Sequence, residues 1–109
     1  MNPPSTETTA FDEYGFLVDP GQWNRDLARD LARKLGVGEL GEDHWRIIEH
    51  IRAHYMEKHT LLWMEHTCRE LGMDKRCVRR LFKGPLEAWK TAGLPNPGEE
   101  ARNYMLNEE

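Results

Sequence analysis

Cys68 and Cys77 are the two thiols of this 109-residue chain, and a thiol does chemistry when its thiolate is stabilised. Arg76 and Arg80 stand close enough to Cys77 in sequence to lower its pKa, which makes Cys77 the candidate thiolate and Cys68 the other possible thiol. The competing reading makes both residues small hydrophobes on packed helix faces, as buried cysteine usually is. His50 and His54, at i and i+4, could hold zinc on one helix face, and His44, His59 and His66 lie in the same third of the chain. No Cys-x-x-Cys or His-Glu-x-x-His pattern supplies a further ligand, so the histidines read as surface residues and no metal is expected. No nucleophile–base pair, glycine-rich phosphate loop or pair of carboxylates stands out. The chain reads as non-enzymatic and without a cofactor.

A second constellation is electrostatic. From Lys75 to Lys90 the chain carries Lys75, Arg76, Arg79, Arg80, Lys83 and Lys90 against Glu87 alone. Thr67 to Lys83 has the spacing of a helix-turn-helix, with small Cys68 at the crossing, Gly72 in the turn, and Val78 and Leu81 packing back. Lys75, Arg76, Arg79, Arg80 and Lys83 would then face solvent, where they could contact phosphates or read guanine edges. An ordinary helical corner asks for the same residues, so DNA binding is one reading of two. Trp23 and Trp45 fall on apolar stripes and belong to a core. Trp63 competes with Leu62 and Met64 for a buried face. Trp89 is either a core residue or the anchor of a binding segment.

These residues need helices to position them. Phe11, Tyr14, Phe16 and Leu17 around Asp12, Glu13 and Gly15 predict a small β hairpin over 10–18. Asp19 is a candidate N-cap with Pro20 at the first helical position, leading to Trp23, Leu27 and Leu31 on one stripe and ending at Gly36 and Gly38. A second helix starts near Gly41-Glu42-Asp43 and turns Trp45, Ile48, Ile51 and Tyr55 inward. Thr60 caps a third, which runs to Gly72, and Asp74 caps a fourth. The fifth begins at Pro85, stops at Gly93, and cannot continue through Pro95 and Pro97. Ala101, Tyr104 and Met105 fit a loose helical turn. The expected fold is mainly α (α+β): a small N-terminal hairpin or meander packed on an orthogonal array of about five helices, with a helix-turn-helix-like corner and an extended C-terminal arm.

Length bounds this to one domain, 10–97, which buries roughly two thirds of its unfolded surface. Residues 1–9, rich in Pro, Ser and Thr, read as a flexible N-terminus, and 98–109 as a C-terminal tail. A net charge of −4 argues against wholesale polyanion binding, although a local basic face still makes a local positive potential. No apolar run of about 20 residues and no charged leader is present, so a cytoplasmic, non-membrane protein is expected. Two cysteines in such a chain predict no disulfide framework.

The ordered set Phe11-Asp12-Glu13-Tyr14-Gly15-Phe16-Leu17, Asp19 with Trp23 and Leu27, His44-Trp45 with Ile47, Ile48, Arg52 and Tyr55, Leu81-Phe82-Lys83-Gly84-Pro85, and Ala92-Gly93-Leu94-Pro95 resembles the DsrC/TusE family. These are sulfur-relay proteins related to the gamma subunit of dissimilatory sulfite reductase. The resemblance implies a β meander on an orthogonal helical bundle and a C-terminal arm carrying reactive cysteines. Aligned on Ala92-Gly93-Leu94-Pro95, those cysteines fall on Trp89 and Glu100. The family also usually has Arg where Glu65 stands. The resemblance therefore implies a regulatory or competing protein of sulfur metabolism that meets a sulfur-relay or sulfite-reductase-like partner through Lys90, Gly93, Leu94, Pro95 and Pro97. The alternatives are a DNA-binding regulator that uses the helix 75–83 and a sulfur carrier that uses Cys77 or Cys68.

Overall fold

The computed structural model describes residues 10–59 and 64–107. The expected cap Thr60, the residues Leu62 and Trp63, and the N-terminal stretch 1–9 lie outside the described residues. Among the described residues six α-helices follow one another: α1 (Arg25–Lys34), α2 (Glu42–Lys58), α3 (Met64–Glu70), α4 (Cys77–Phe82), α5 (Pro85–Thr91) and α6 (Glu99–Asn107).

The N-terminal hairpin or meander is corrected by the structure. Among the described residues there is no strand or sheet, only one isolated antiparallel bridge between Phe11 and Leu17. The reason is local. Asp12 Oδ1 accepts from the backbone N–H of both Tyr14 and Phe16, at 2.9 Å each, and this closes a turn where a ladder would have to run. Phe16 and Leu17 are also buried one after the other, which breaks the in-out alternation of a strand.

The first helix starts on a side-chain cap, though not on the expected one. Asp19 caps a short 3-10 turn, Pro20–Gln22, through Gly21 N–H at 2.9 Å. The helix proper starts later, where Asn24 Oδ1 accepts from Leu27 N–H at 2.8 Å. Ala28, Leu31 and Ala32 form its buried stripe. In α2 the buried residues are Ile47, Ile48 and Ile51, while Trp45 and Tyr55, expected inside, are half-buried. Arg25 and Arg29 lie over the Trp45 ring at 4.5 and 5.3 Å, so its outer side is covered by guanidinium groups.

Three of the helices, α3, α4 and α5, span seven, six and seven residues. Helices this short are marginal alone, so tertiary contacts must hold them. The central element is α5, which packs against α1, α2, α4 and α6. Its Ala88 and Trp89 are buried together with Ile47, Ile48, Ile51, Val78, Phe82, Leu94 and Met105. The extended C-terminal arm is therefore also corrected. Trp89, Ala92, Gly93 and Leu94 are buried, Pro95, Asn96 and Pro97 are half-buried, and the chain then enters α6, which returns Met105 to the core. Among the described residues the array has six helices, one more than expected, because the tail, read as a loose helical turn, forms α6. No described helix is long and apolar enough to cross a membrane.

Candidate functional site

The end of α5 is built as a buckle. Gly93, at φ +70°, donates to Lys90 O at 3.0 Å, and Leu94 N–H reaches Trp89 O at 3.4 Å, which closes the helix in a left-handed cap. Three carbonyls around this turn are then taken by side chains, two of them from far along the chain. Trp23 Nε1 donates to Thr91 O at 2.9 Å, Arg52 Nη1 to Ala92 O at 2.9 Å, and Trp89 Nε1 to Pro95 O at 2.7 Å. Arg52 also reaches Pro20 O at 3.3 Å and lies 4.2 Å over the Trp23 ring. Burial lowers the Arg52 guanidinium below its ordinary value, while carbonyls and an aromatic face replace its water.

Trp89 is 1% exposed and meets the Tyr55 ring edge-on at 5.8 Å. Glu100 is exposed in the first turn of α6. Lys90 is the arm residue that reaches a groove. Its Nζ lies 5.1 Å from the Phe16 ring centroid, and with Lys34 it rims an apolar groove of about 230 Å³ lined by Phe11, Gly15, Leu31 and Leu35. Pro95 and Pro97 are half-buried beside it in sequence, whereas the Gly93 and Leu94 side of the turn faces inward.

Asp12 joins the N-terminal turn to this segment, since Asn96 Nδ2 donates to Asp12 Oδ2 at 3.1 Å. Burial pushes the Asp12 carboxyl up. The N–H groups of Phe16 and Tyr14, the Asn96 amide and the Arg102 charge outweigh it, and the net direction is below 3.8. A depressed carboxyl stabilises the fold above its unfolded value, and that contribution is lost as pH falls through the folded value. Carboxyl titration by NMR is expected to place the Asp12 midpoint below 3.8, with the Tyr14 and Phe16 amides released only in the same acid range. A midpoint at or above the ordinary value would contradict this geometry.

The basic corner is present as a surface. Lys75, Arg76, Arg79, Arg80 and Lys83 are all exposed. Asp74, Arg76, Arg79 and Arg80 line an open depression of about 480 Å³. Arg80 is paired to Asp74 Oδ2 at 2.7 Å, and this bond, with the Arg76 backbone N–H, lowers the Asp74 pKa. The Lys83 amine lies against the Gly36 turn. Such a face on an acidic chain predicts weak duplex binding, with a dissociation constant above about 10⁻⁵ M at physiological salt and a log–log salt slope near −3 to −4. Fluorescence anisotropy with random duplex DNA reads both quantities. Nanomolar binding lost in the Arg79→Ala, Arg80→Ala double variant would make the corner a DNA reader instead.

The cysteines come together, contrary to the expectation from their number. Cys68 on α3 and Cys77 at the start of α4 form a disulfide with their Cα atoms 5.8 Å apart, and both residues are fully buried. The chain has no other cysteine and therefore no free thiol. A signal for this was available. Both residues sit on the facing sides of a corner that turns at Gly72, and a nine-residue separation across such a corner brings side chains into contact. The histidines go to structural roles. His44 Nδ1 accepts from Gly41 N–H at 3.0 Å while Nε2 donates to Leu81 O at 3.0 Å, and His50 meets Glu70 at 2.7 Å. Among the described residues no three His, Cys, Asp or Glu side chains are grouped as a metal site requires. Sequence reasoning missed the role of Arg52, whose partners lie 32 and 40 positions away and leave no local trace.

This buckle, core and corner can be set beside known proteins. The family described as "DsrC like protein" matches residues 5–99. The sulfurtransferase TusE homolog of Haemophilus influenzae is 36% identical over 97 residues, covering 81% of this chain and 88% of the relative. The oxidised gamma subunit of dissimilatory sulfite reductase (DsrC) from Archaeoglobus fulgidus superposes with a TM-score of 0.69 at 29% identity, covering 84% of this chain and 90% of that one. The DsrC/gamma subunit of Pyrobaculum aerophilum gives 0.72 at 30% identity, covering 84% and 85%. With a match spanning most of its length and a fold shared with both gamma subunits, the chain belongs to the DsrC/TusE family.

Proposed function

We propose that this protein binds a partner of the sulfur-relay or sulfite-reductase type without carrying sulfur on its own arm, and so regulates or competes with a sulfur-carrying relative. The observation that carries this reading is Trp89. At the position where the family resemblance places the first reactive cysteine stands an indole that is 1% exposed. The second position is Glu100, an exposed carboxylate in α6. A carrier needs a thiolate that can reach its partner, and neither residue offers one. A carrier on Cys77 or Cys68 would need their bond to open first, and both residues are fully buried, which keeps them from a partner's reach.

What the arm keeps is a fixed shape. Trp23, Arg52 and Trp89 hold the carbonyls of its turn, so little ordering entropy is lost when a partner docks. Lys90 and Lys34, at the rim of the Phe11, Leu31 and Leu35 groove, supply an apolar surface with positive charge at its edge. The partner class follows from the family. Relatives bear the name sulfurtransferase TusE, and the structural neighbours are named as gamma subunits of dissimilatory sulfite reductase.

Competition tests the reading. A purified sulfur-relay or sulfite-reductase-type complex is loaded with its cysteine-bearing DsrC-like relative and titrated with this protein. Displacement of the relative is expected, and Lys90→Glu should weaken it by about tenfold or more, at a stability cost of no more than about 1 kcal/mol from the lost contact with the Phe16 ring. Absence of binding, or displacement indifferent to Lys90, would contradict the proposal.

A further inference from the structure

We propose that the Cys68–Cys77 disulfide is a redox-controlled clamp on the α3–α4 corner, which a dithiol reductant opens to loosen the arginine face without unfolding the domain. This does not depend on the arm-based reading above.

The bond joins two helices of seven and six residues, and both Cα atoms sit where the chain reverses at Gly72, φ +75°. Three backbone bonds close the same corner: Gly72 N–H to Arg69 O at 3.1 Å, Met73 N–H to Cys68 O at 2.8 Å, and Cys77 N–H to Asp74 O at 3.0 Å. These can still form after reduction, but without the covalent tie they open more often. The two thiols that result are small apolar groups in a core that includes Ile47, Val78 and Phe82, so the reduced corner stays packed. What reduction removes is the covalent limit on how far α4 can move from α3.

The closed ring includes Asp74, which has a specific consequence. Asp74 Oδ2 neutralises Arg80 at 2.7 Å, and its Oδ1 accepts from the Arg76 N–H at 2.9 Å. With the bond closed, Asp74 is held on the arginine face. With it open, excursions of the loop separate Asp74 from Arg80 and uncover a further positive charge beside Arg76 and Arg79. The redox state thus sets how much of the basic face is available.

The chemistry balances with a dithiol as the co-reactant. One thiolate of the reductant attacks a protein sulfur and releases the other as a thiolate. The reductant's second thiolate then attacks the reductant sulfur of the mixed disulfide and expels the remaining protein thiolate. Two electrons and two protons pass to Cys68 and Cys77, and the reductant leaves as its own disulfide. Both cysteines are 0% exposed, so attack waits on local opening of the corner. A cytoplasmic location, expected from the sequence, would place this bond among reductants, where disulfides are more often switches than staples.

The test uses the full chain, oxidised and after treatment with dithiothreitol. Alkylation followed by intact mass spectrometry counts thiols: none in the oxidised protein and two in the reduced one. Hydrogen exchange then reads the amides of Met73, Cys77, Arg80 and Lys83 against those of Ile48 and Ile51 in α2. The corner amides are expected to exchange about 10- to 100-fold faster when reduced, the range that loss of a short closed loop allows, while α2 and the far-UV dichroism are unchanged. The Cys68→Ala, Cys77→Ala double variant should reproduce the reduced pattern. Equal exchange in both states would overturn the clamp. Global loss of protection on reduction would overturn it in favour of a structural staple, and two alkylated thiols without reductant would remove its basis.

Discussion

Trp89→Ala is expected to destabilise the protein by about 3–5 kcal/mol, a large part of the total stability of a domain this size. The indole is 1% exposed, meets Tyr55 edge-on, and holds Pro95 O through Nε1 at 2.7 Å. Truncation leaves a cavity at the centre of α5 and releases a carbonyl of the arm turn. Trp89→Phe separates the two effects. It keeps most of the packing and loses the hydrogen bond, so about 1 kcal/mol is expected from that bond alone. Urea unfolding of the three proteins measures both values. A Trp89→Ala variant as stable as the parent would mean that the indole is not an anchor, and the rigid arm on which the partner reading rests would fall with it.

Gly93→Ala is expected to cost about 3 kcal/mol or more, from two independent sources. At φ +70° an L side chain is strained. The added Cβ would also lie 2.6 Å from Trp23 Cγ and inside contact distance of Cδ1. Trp23 cannot easily retreat, because its Nε1 is bonded to Thr91 O and Arg52 lies over its ring. Gly98→Ala is the control. Its φ is +104° but nothing lies within 4 Å of the new Cβ, so only the backbone cost of about 1–2 kcal/mol remains. Thermal unfolding should rank Gly93→Ala well below Gly98→Ala. Equal losses would show that the Trp23 contact carries no weight.

The sequence was most legible where a local signal settles a local structure. Pro85 and Gly93 bound α5 as their conformational limits require, and Glu42 and Asp43 open α2. Burial was not legible from the same signals. Pro95 and Pro97 show that a helix stops, but say nothing about Trp23, Arg52 or Tyr55 arriving from far along the chain to cover the turn. A segment that reads as an extended arm is therefore lashed to the core. The hairpin failed for a related reason. Aromatic residues around Asp12 and Gly15 suit a strand pair, yet the Asp12 carboxylate takes the amides that a second rung would need. The basic face was legible as a set of residues, and its tie to Asp74 followed once the corner was in place.

The central claim is that this family member does not carry sulfur, and intact mass spectrometry tests it most directly. The oxidised protein, with Cys68 and Cys77 joined, and the protein after reduction and removal of the reductant are each incubated with an excess of a polysulfide donor. The account predicts a mass unchanged by any whole number of sulfur atoms. Stoichiometric gain of one sulfur atom, mapped by peptide analysis to Cys68 or Cys77, would contradict it and make the protein a carrier.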